Sequence, residues 1–331
     1  MINDGWRTVI ISSRAELKYS DGNVIVLSDE KKEIPIGQIS VLMLNCDGIK
    51  FTTGVMRELL ENNIKVIFCD KKYNPCGETC GYNNTFMSGK IDEQIKWSSE
   101  IKGLTWQLIV SNKIDCQRKL LEKYGLDGFE KLKKLAEVVL VNDKSNKEGQ
   151  AARIYFGSLF GKQFNRRSLN NINGALNYGY SIILSNINRL LAIHGYNLAL
   201  GLKHCNKKNS YNFSCDLMEP FRPFVDEYVF LNRERELDWD YKRELINLTY
   251  KTIYYGKRKM ELHIAEDMFI CDVIKTLNGN TSQIKEFDFI WGLLWLCLIY
   301  QIKKKKKGWH TENFISFWKV MDIAFCRSLF M

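Results

Sequence analysis

Glu148, His204 and Glu219 are residues of the types that hold a divalent cation, and the segment between them shows what such a cation would act on. From Gly149 to Cys215 there are eight basic residues (Arg153, Lys162, Arg166, Arg167, Arg189, Lys203, Lys207, Lys208) and no carboxylate. A positive field concentrated on one part of a chain suits a polyanion. Binding phosphate requires basic groups, whereas cleaving or transferring it usually requires a divalent cation, which carboxylates and imidazoles can hold. Glu148, in N-K-E-G-Q-A-A-R-I-Y-F, and Glu219, in S-C-D-L-M-E-P-F-R-P, bracket the basic segment, and Asp216 stands three residues before Glu219. Singly, each has an ordinary explanation. Glu148 reads as a first-turn carboxylate, Glu219 as the partner of Arg222, and His204 as an imidazole at a helix C-terminus, stabilised by the macrodipole. The three are far apart in sequence, so packing must bring them together, and spacing alone does not establish a site.

Other candidates are weaker. His194 lies inside the apolar pattern S-I-I-L-S-N-I-N-R-L-L-A-I-H-G and reads as a packed core histidine. Cys76 and Cys80, in P-C-G-E-T-C, lack a second pair of zinc ligands at matching spacing and read as ordinary thiols. The ten cysteines are irregularly spaced and Met1 to Arg14 is not a secretory leader, which together favour a reduced cytosol.

The elements that must position these residues fall into two parts. Arg7 to Ser12, Glu16 to Ser20, Val24 to Ser28, Ile34 to Ile36 and Ser40 to Leu44 are short β-rich runs, with Asp21-Gly22-Asn23 as a hairpin turn. A helix at Thr53 to Asn63, capped by Thr52 or Thr53, and a buried strand at Lys65 to Asp70 complete a small, mainly β domain. The periodicity then becomes helical. It predicts helices at Asp92–Ser111, Ile114–Tyr124, Gly128–Val141, Lys147–Phe164, Gly174–Leu202, Arg222–Asn232, Trp239–Tyr254, Arg258–Asn278 and Ile284–Ile302. The fold class is α+β: an N-terminal β-rich domain over 1–80, a larger all-α domain over 81–302 that carries the candidate site, and a tail over 303–331 that opens with five lysines.

Composition agrees. With 45% hydrophobic and 26% charged residues the chain is globular rather than disordered, and 48 basic against 38 acidic residues give a net charge of +10. Residues 1–100 carry 12 basic and 14 acidic residues, so the excess lies beyond them. The most apolar run, Phe289 to Tyr300, is too short to span a membrane and predicts a buried helix.

G-W-R-T-V-I-I at Gly5 to Ile11, E-G-Q-A-A-R-I-Y-F at Glu148 to Phe156, G-L-K-H at Gly201 to His204 and D-L-M-E-P-F-R-P-F-V-D at Asp216 to Asp226 together resemble the CRISPR-associated integrase of the spacer-acquisition module. The likeness is to its type II branch and covers Gly5 to Tyr300; Lys303 to Met331 does not match the family's ending. The resemblance implies a homodimer paired through the β domains, with Glu148, His204 and Glu219 as catalytic metal ligands and Asp216 as an auxiliary acid. It also implies a small ferredoxin-like partner protein and double-stranded DNA as substrate, in a bacterial cytoplasm. The reaction would be attack by a 3′-hydroxyl of a short duplex on phosphodiesters of the leader–repeat, with Mg²⁺ or Mn²⁺ as cofactor. Arg153, Lys162, Arg166, Arg167, Lys203, Lys207 and Lys208 are the candidate phosphate contacts, with solvated surface as the alternative for about half of them. A non-catalytic nucleic-acid-binding scaffold is the rival reading.

Overall fold

In a computed structural model, the residues described are 7–71, 75–79, 81, 87–280 and 283–289. The tail over 303–331, Cys80 and most of the predicted helix at Ile284–Ile302 lie outside them.

The N-terminal part consists of two four-stranded sheets. Strands β1 (Arg7–Ile11), β5 (Ile39–Leu44) and β7 (Lys65–Cys69) pair in parallel, and β8 (Pro75–Glu78) adds antiparallel to β7. Strands β2 (Glu16–Ser20), β3 (Asn23–Leu27) and β4 (Lys31–Pro35) form an antiparallel meander, with the short β6 (Lys50–Phe51) parallel to β2. Helix α1 (Thr53–Glu61) is capped by Thr52, whose hydroxyl accepts from the Val55 amide at 3.3 Å. The apolar run of β5 is buried on both faces, as expected of a strand in the middle of a parallel sheet. Leu42, Leu44 and Val66 pack with Leu17, Val24, Val55 and Leu59 between the sheets, while Val41, Met43 and Ile67 join the core of the helical part. The strand and helical parts are therefore continuous through one sheet.

Beyond it come α2 (Met87–Lys96), α3 (Ser99–Lys123), α4 (Phe129–Glu137), α5 (Lys147–Phe160), α6 (Asn171–Ile193), α7 (Asn212–Leu217), α8 (Arg222–Leu231), α9 (Trp239–Asn247) and α10 (Leu262–Leu277). Helix α3 is central: Trp106, Ile109, Val110, Ile114, Cys116 and Leu120 are all buried. The break predicted near Ser111 is absent, because Ser-Asn-Lys lowers helix propensity without the steric veto of proline. The real break is at Trp97, where the Ser98 hydroxyl accepts from the Ile101 amide at 3.2 Å.

Two further expectations are corrected. The helical part is not all-α: Thr252–Tyr255 (β9) and Arg258–Glu261 (β10) form a hairpin, and Phe287–Asp288 (β11) pairs with β9. The run Thr-Ile-Tyr-Tyr is β-branched and aromatic with alternating burial, so it ends the helix predicted to reach Tyr254, and where the helix from Ile284 was predicted the described residues hold the strand Phe287–Asp288. Helix α6 stops at Ile193 rather than Leu202. Gly195 takes a left-handed φ of +79° there, and the amides of Gly195 and Tyr196 bond back to Ala192 and Leu191. His204 is thus placed in a loop, not at a helix end.

Helix α10 carries a buried acid, Glu266, that receives a hydrogen bond from the Asn186 amide through one oxygen and has no partner for the other. Burial raises its pKa to about 8, and Asn186 and Arg189 offset only part of that rise. The folded chain therefore keeps a proton that the unfolded chain loses above its ordinary carboxylate pKa, and stability falls as pH climbs towards 8. Glu266→Gln should flatten that decline and be more stable than the parent at pH 8 by ~1 kcal/mol or more. Superimposable urea-unfolding profiles across pH 5–8 would contradict this.

Candidate metal centre

Glu148 occupies the first turn of α5, and the turn before it fixes its direction. Asn142, Asp143 and Asn146 all adopt left-handed φ (60°, 44°, 50°), a conformation that Asn and Asp tolerate better than other side chains. Buried Asp143 accepts from the amides of Lys147 (2.7 Å) and Glu148 (3.1 Å), and the Asn146 side chain caps Gly149 (3.2 Å). Glu219 starts the tight turn Glu219–Phe221 between α7 and α8, with Pro220 and Pro223 pre-setting φ at the two helical starts.

His204 is placed by Asp216, which is fully buried in α7. One Asp216 oxygen accepts from the Leu202 and Lys203 amides (2.6 and 3.0 Å); the other meets the His204 amide (3.2 Å) and His204 Nδ1 (2.6 Å). The G-L-K-H segment is thus a loop of backbone donors wrapped round one carboxylate. Only glycine fits at its start, since a Cβ on Gly201 would stand 2.4 Å from the His204 carbonyl oxygen and 2.8 Å from the Asp216 carboxylate. Exposed Lys203 ties this loop to the turn before Glu148, its Nζ donating to the Asn142 carbonyl at 3.0 Å.

The fold brings the three predicted residues into one electrostatic cluster. The Lys113 ammonium, on α3, lies 2.5 Å from Glu148 Oε1 and 2.5 Å from Glu219 Oε2, so the two carboxylates face each other across it. Arg222 Nε stands 2.9 Å from Glu219, the pairing expected of that residue. Burial alone would raise the Glu219 pKa, but the charges of Arg222 and Lys113 overcome it and hold it at about 2. The hydrogen bond to Asp216 raises the His204 pKa, against burial, and the charges of Glu219 and Glu148 both reach the ring. The ring also packs edge-on against Trp106, centroids 6.0 Å apart.

By donor type the set suits a divalent cation, but among the described residues only His194, Asp267 and Cys271 offer three donor atoms within 4.8 Å of one another. The set of Glu148, Glu219 and His204 offers two carboxylates and an imidazole whose Nδ1 is held by a carboxylate, the outer partner that a metal-ligating histidine characteristically has. That bond directs Nε2 away from Asp216 as the ring's ligand atom. The other candidates behave differently. His194 is half-exposed at the end of α6, not in the core; its Nε2 pairs with Asp267 at 2.7 Å, with Cys271 Sγ 4.0 Å away. This trio is compact enough for an ion. The Asp267 and Cys271 hydrogen bonds raise the His194 pKa to about 9, against burial. Cys76 is exposed, with its thiol on the Phe68 carbonyl.

Of the predicted phosphate contacts, Arg153, Lys162, Arg167, Lys203, Lys207 and Lys208 are exposed. Arg166 is committed internally: its guanidinium bonds Asn173 and Asn177 and lies over Phe156 and Tyr180. Sequence reasoning missed Lys113, although the signal was present, since it interrupts the apolar stripe Trp106, Val110, Cys116, Leu120. It also missed Asp226, buried and bonded by the Tyr155 and Tyr180 hydroxyls, which ties the E-G-Q-A-A-R-I-Y-F segment to D-L-M-E-P-F-R-P-F-V-D.

Comparison with known proteins follows this geometry. The model of the family described as CRISPR associated protein Cas1 matches residues 8–252. A CRISPR-associated endonuclease Cas1 of Neisseria meningitidis serogroup C (strain 8013) is 31% identical over 258 residues, covering 76% of this chain and 84% of its own. Among solved structures, a CAS1 protein from Thermotoga maritima superposes with a TM-score of 0.71 at 17% identity, over 83% of this chain and 98% of that one. A casposase bound to integration product gives 0.68 at 16% identity, over 84% and 92%. Among the described residues, no helix is long and apolar enough to cross a membrane. The resemblance borne by Glu148–Phe156 and Asp216–Asp226 thus extends over most of the chain, which belongs to the Cas1 family of CRISPR-associated proteins.

Proposed function

We propose that this chain is a metal-dependent DNA integrase and nuclease of CRISPR adaptation, joining a 3′-hydroxyl of a short duplex to phosphodiesters at the leader–repeat. The observation that supports this reading most is the facing of Glu148 and Glu219 across Lys113, with a carboxylate-held His204 in a loop of the acid-free basic segment. Mg²⁺ or Mn²⁺ bound by these three would activate the attacking hydroxyl and neutralise charge on the phosphate. Arg222 keeps Glu219 ionised, Asp216 aims the imidazole, and exposed Lys203, Lys207 and Lys208 flank His204 where the DNA backbone would be held in line. In this reading the chain works as a homodimer with a small ferredoxin-like partner.

A labelled duplex, a plasmid bearing leader and repeat, and the chain with its partner should give joined product with Mn²⁺ or Mg²⁺ and none in EDTA. Equal joining in EDTA would remove the metal from the reaction. The ion pairs to Lys113 also suit a scaffold in which the cluster is structural, and that rival predicts duplex binding with no joined product in either condition.

The basic residues make a separate prediction. A Lys207→Ala, Lys208→Ala double variant should lower the slope of log affinity against log salt by about 1–2, close to 0.9 per lost phosphate contact. Arg166→Ala should instead lower thermal stability and leave the slope alone. Fluorescence anisotropy at 50–200 mM salt reads both, and an unchanged slope in the lysine variant takes those residues off the contact list.

A further inference from the structure

We propose that Lys113 holds the cation position between Glu148 and Glu219 and must be displaced by the incoming divalent ion, so that this one lysine sets how tightly the site takes metal. The inference rests on the reading of Glu148, His204 and Glu219 as ligands. The ammonium is 2.5 Å from each carboxylate, and the Lys113 side chain is only 9% exposed, so the bridge is both close and shielded from water. A divalent ion shared by the same two carboxylates would face that ammonium at a few ångströms with little screening, and the two like charges cannot both stay there.

The backbone of α3 is held in place while the lysine stem on it is not. Trp106, Val110, Cys116 and Leu120 anchor α3 in the core on either side of Lys113, so the helix cannot withdraw, and the flexible four-carbon stem must swing out. Arg222 Nε, 2.9 Å from Glu219, would leave that carboxylate one counter-charge after the swing, while Glu148 would rely on the metal. Without metal, Lys113 prevents two facing carboxylates from repelling each other. It thereby stabilises the empty site and competes with the filled one.

Lys113→Met keeps the length and apolar stem and removes the charge. By isothermal titration calorimetry of the full chain with Mn²⁺, the variant should bind at least about tenfold tighter than the parent, the order of effect one adjacent charge has on an ionisation. Its unfolding temperature should be lower without Mn²⁺ and rise more on adding it. A residue that merely packs would lower stability without tightening metal binding. If the parent binds Mn²⁺, Glu148→Gln abolishes that binding and Lys113→Met binds equally or more weakly, the displacement idea is wrong while the ligand assignment survives. If neither parent nor variant binds Mn²⁺, the ligand assignment fails and takes the proposal with it.

Should Lys113→Met not fold, the parent chain decides alone. Reductive methylation followed by peptide mass spectrometry should modify Lys113 faster at saturating Mn²⁺ than in EDTA, because the amine leaves its bridge. An unchanged Lys113 rate in Mn²⁺-loaded protein overturns the proposal.

Discussion

His204→Ala should abolish strand joining, by at least ~10²–10³-fold, while duplex affinity changes less than about twofold. The large effect follows from the imidazole being the one nitrogen donor in the proposed set, directed by Asp216. The small effect follows from its surroundings, since Lys203, Lys207 and Lys208 remain exposed around it. The loop should survive the substitution because backbone groups hold it. Asp216 still accepts from the amides of Leu202, Lys203 and residue 204, and the Asn212 side chain still bonds the carbonyls of Ala199 and Asn206. Product gels with Mn²⁺, run beside anisotropy on the same duplex, separate chemistry from binding. Joining at the parent rate would show that the imidazole is not a ligand, and matching losses in joining and affinity would make it a DNA contact.

How far the sequence alone leads is clearest at individual residues. The short β-rich runs around Leu17 and Val24–Val26, joined by the turn Asp21-Gly22-Asn23, made their strands readable, and Thr52 was readable as a cap. The hairpin at Thr252–Glu261 was not, because the helical periods on either side ran into Thr-Ile-Tyr-Tyr and its β-branched, aromatic character was outweighed. The length of α6 was misjudged for a related reason: Tyr196 and Leu198 continue the apolar pattern after Gly195 has turned the chain. That error put His204 at a helix end, where the macrodipole seemed to account for it. The fold gives the residue a different setting, a loop closed on a buried carboxylate.

Chemically suggestive residue types, Glu148, His204, Glu219 and Asp216, were visible from their neighbours in sequence. Their convergence was not, because it depends on α3, α5 and α7 meeting in three dimensions. Lys113 shows the limit most sharply. In sequence it is one of 48 basic residues, and only the positions of Glu148 and Glu219 reveal that its charge lies between two acids.

Asp216→Asn tests whether the imidazole is positioned or merely present. Asp216 offers acceptors on both oxygens: one serves the Leu202 and Lys203 amides, the other the His204 amide and Nδ1. An asparagine has one acceptor oxygen and one NH₂, so one pair of donors must face another donor. If the NH₂ faces the amides, two part-buried N–H groups lose their partner, at up to ~1–3 kcal/mol each. If it faces the ring, Nδ1 must become the acceptor, the ring proton moves to Nε2, and the ligand lone pair is lost. Either way joining should fall by ~10–100-fold, the usual loss when the group orienting a metal-ligating histidine is removed. The structural and tautomeric costs can be told apart. A thermal shift of several degrees with joining near the parent level would make Asp216 a loop-holding residue only. Asp216→Asn placed on His204→Ala should lower joining no further than His204→Ala alone, because a group that acts only through the ring has nothing left to act through. Additive losses in that double variant would give Asp216 a role of its own, independent of the imidazole.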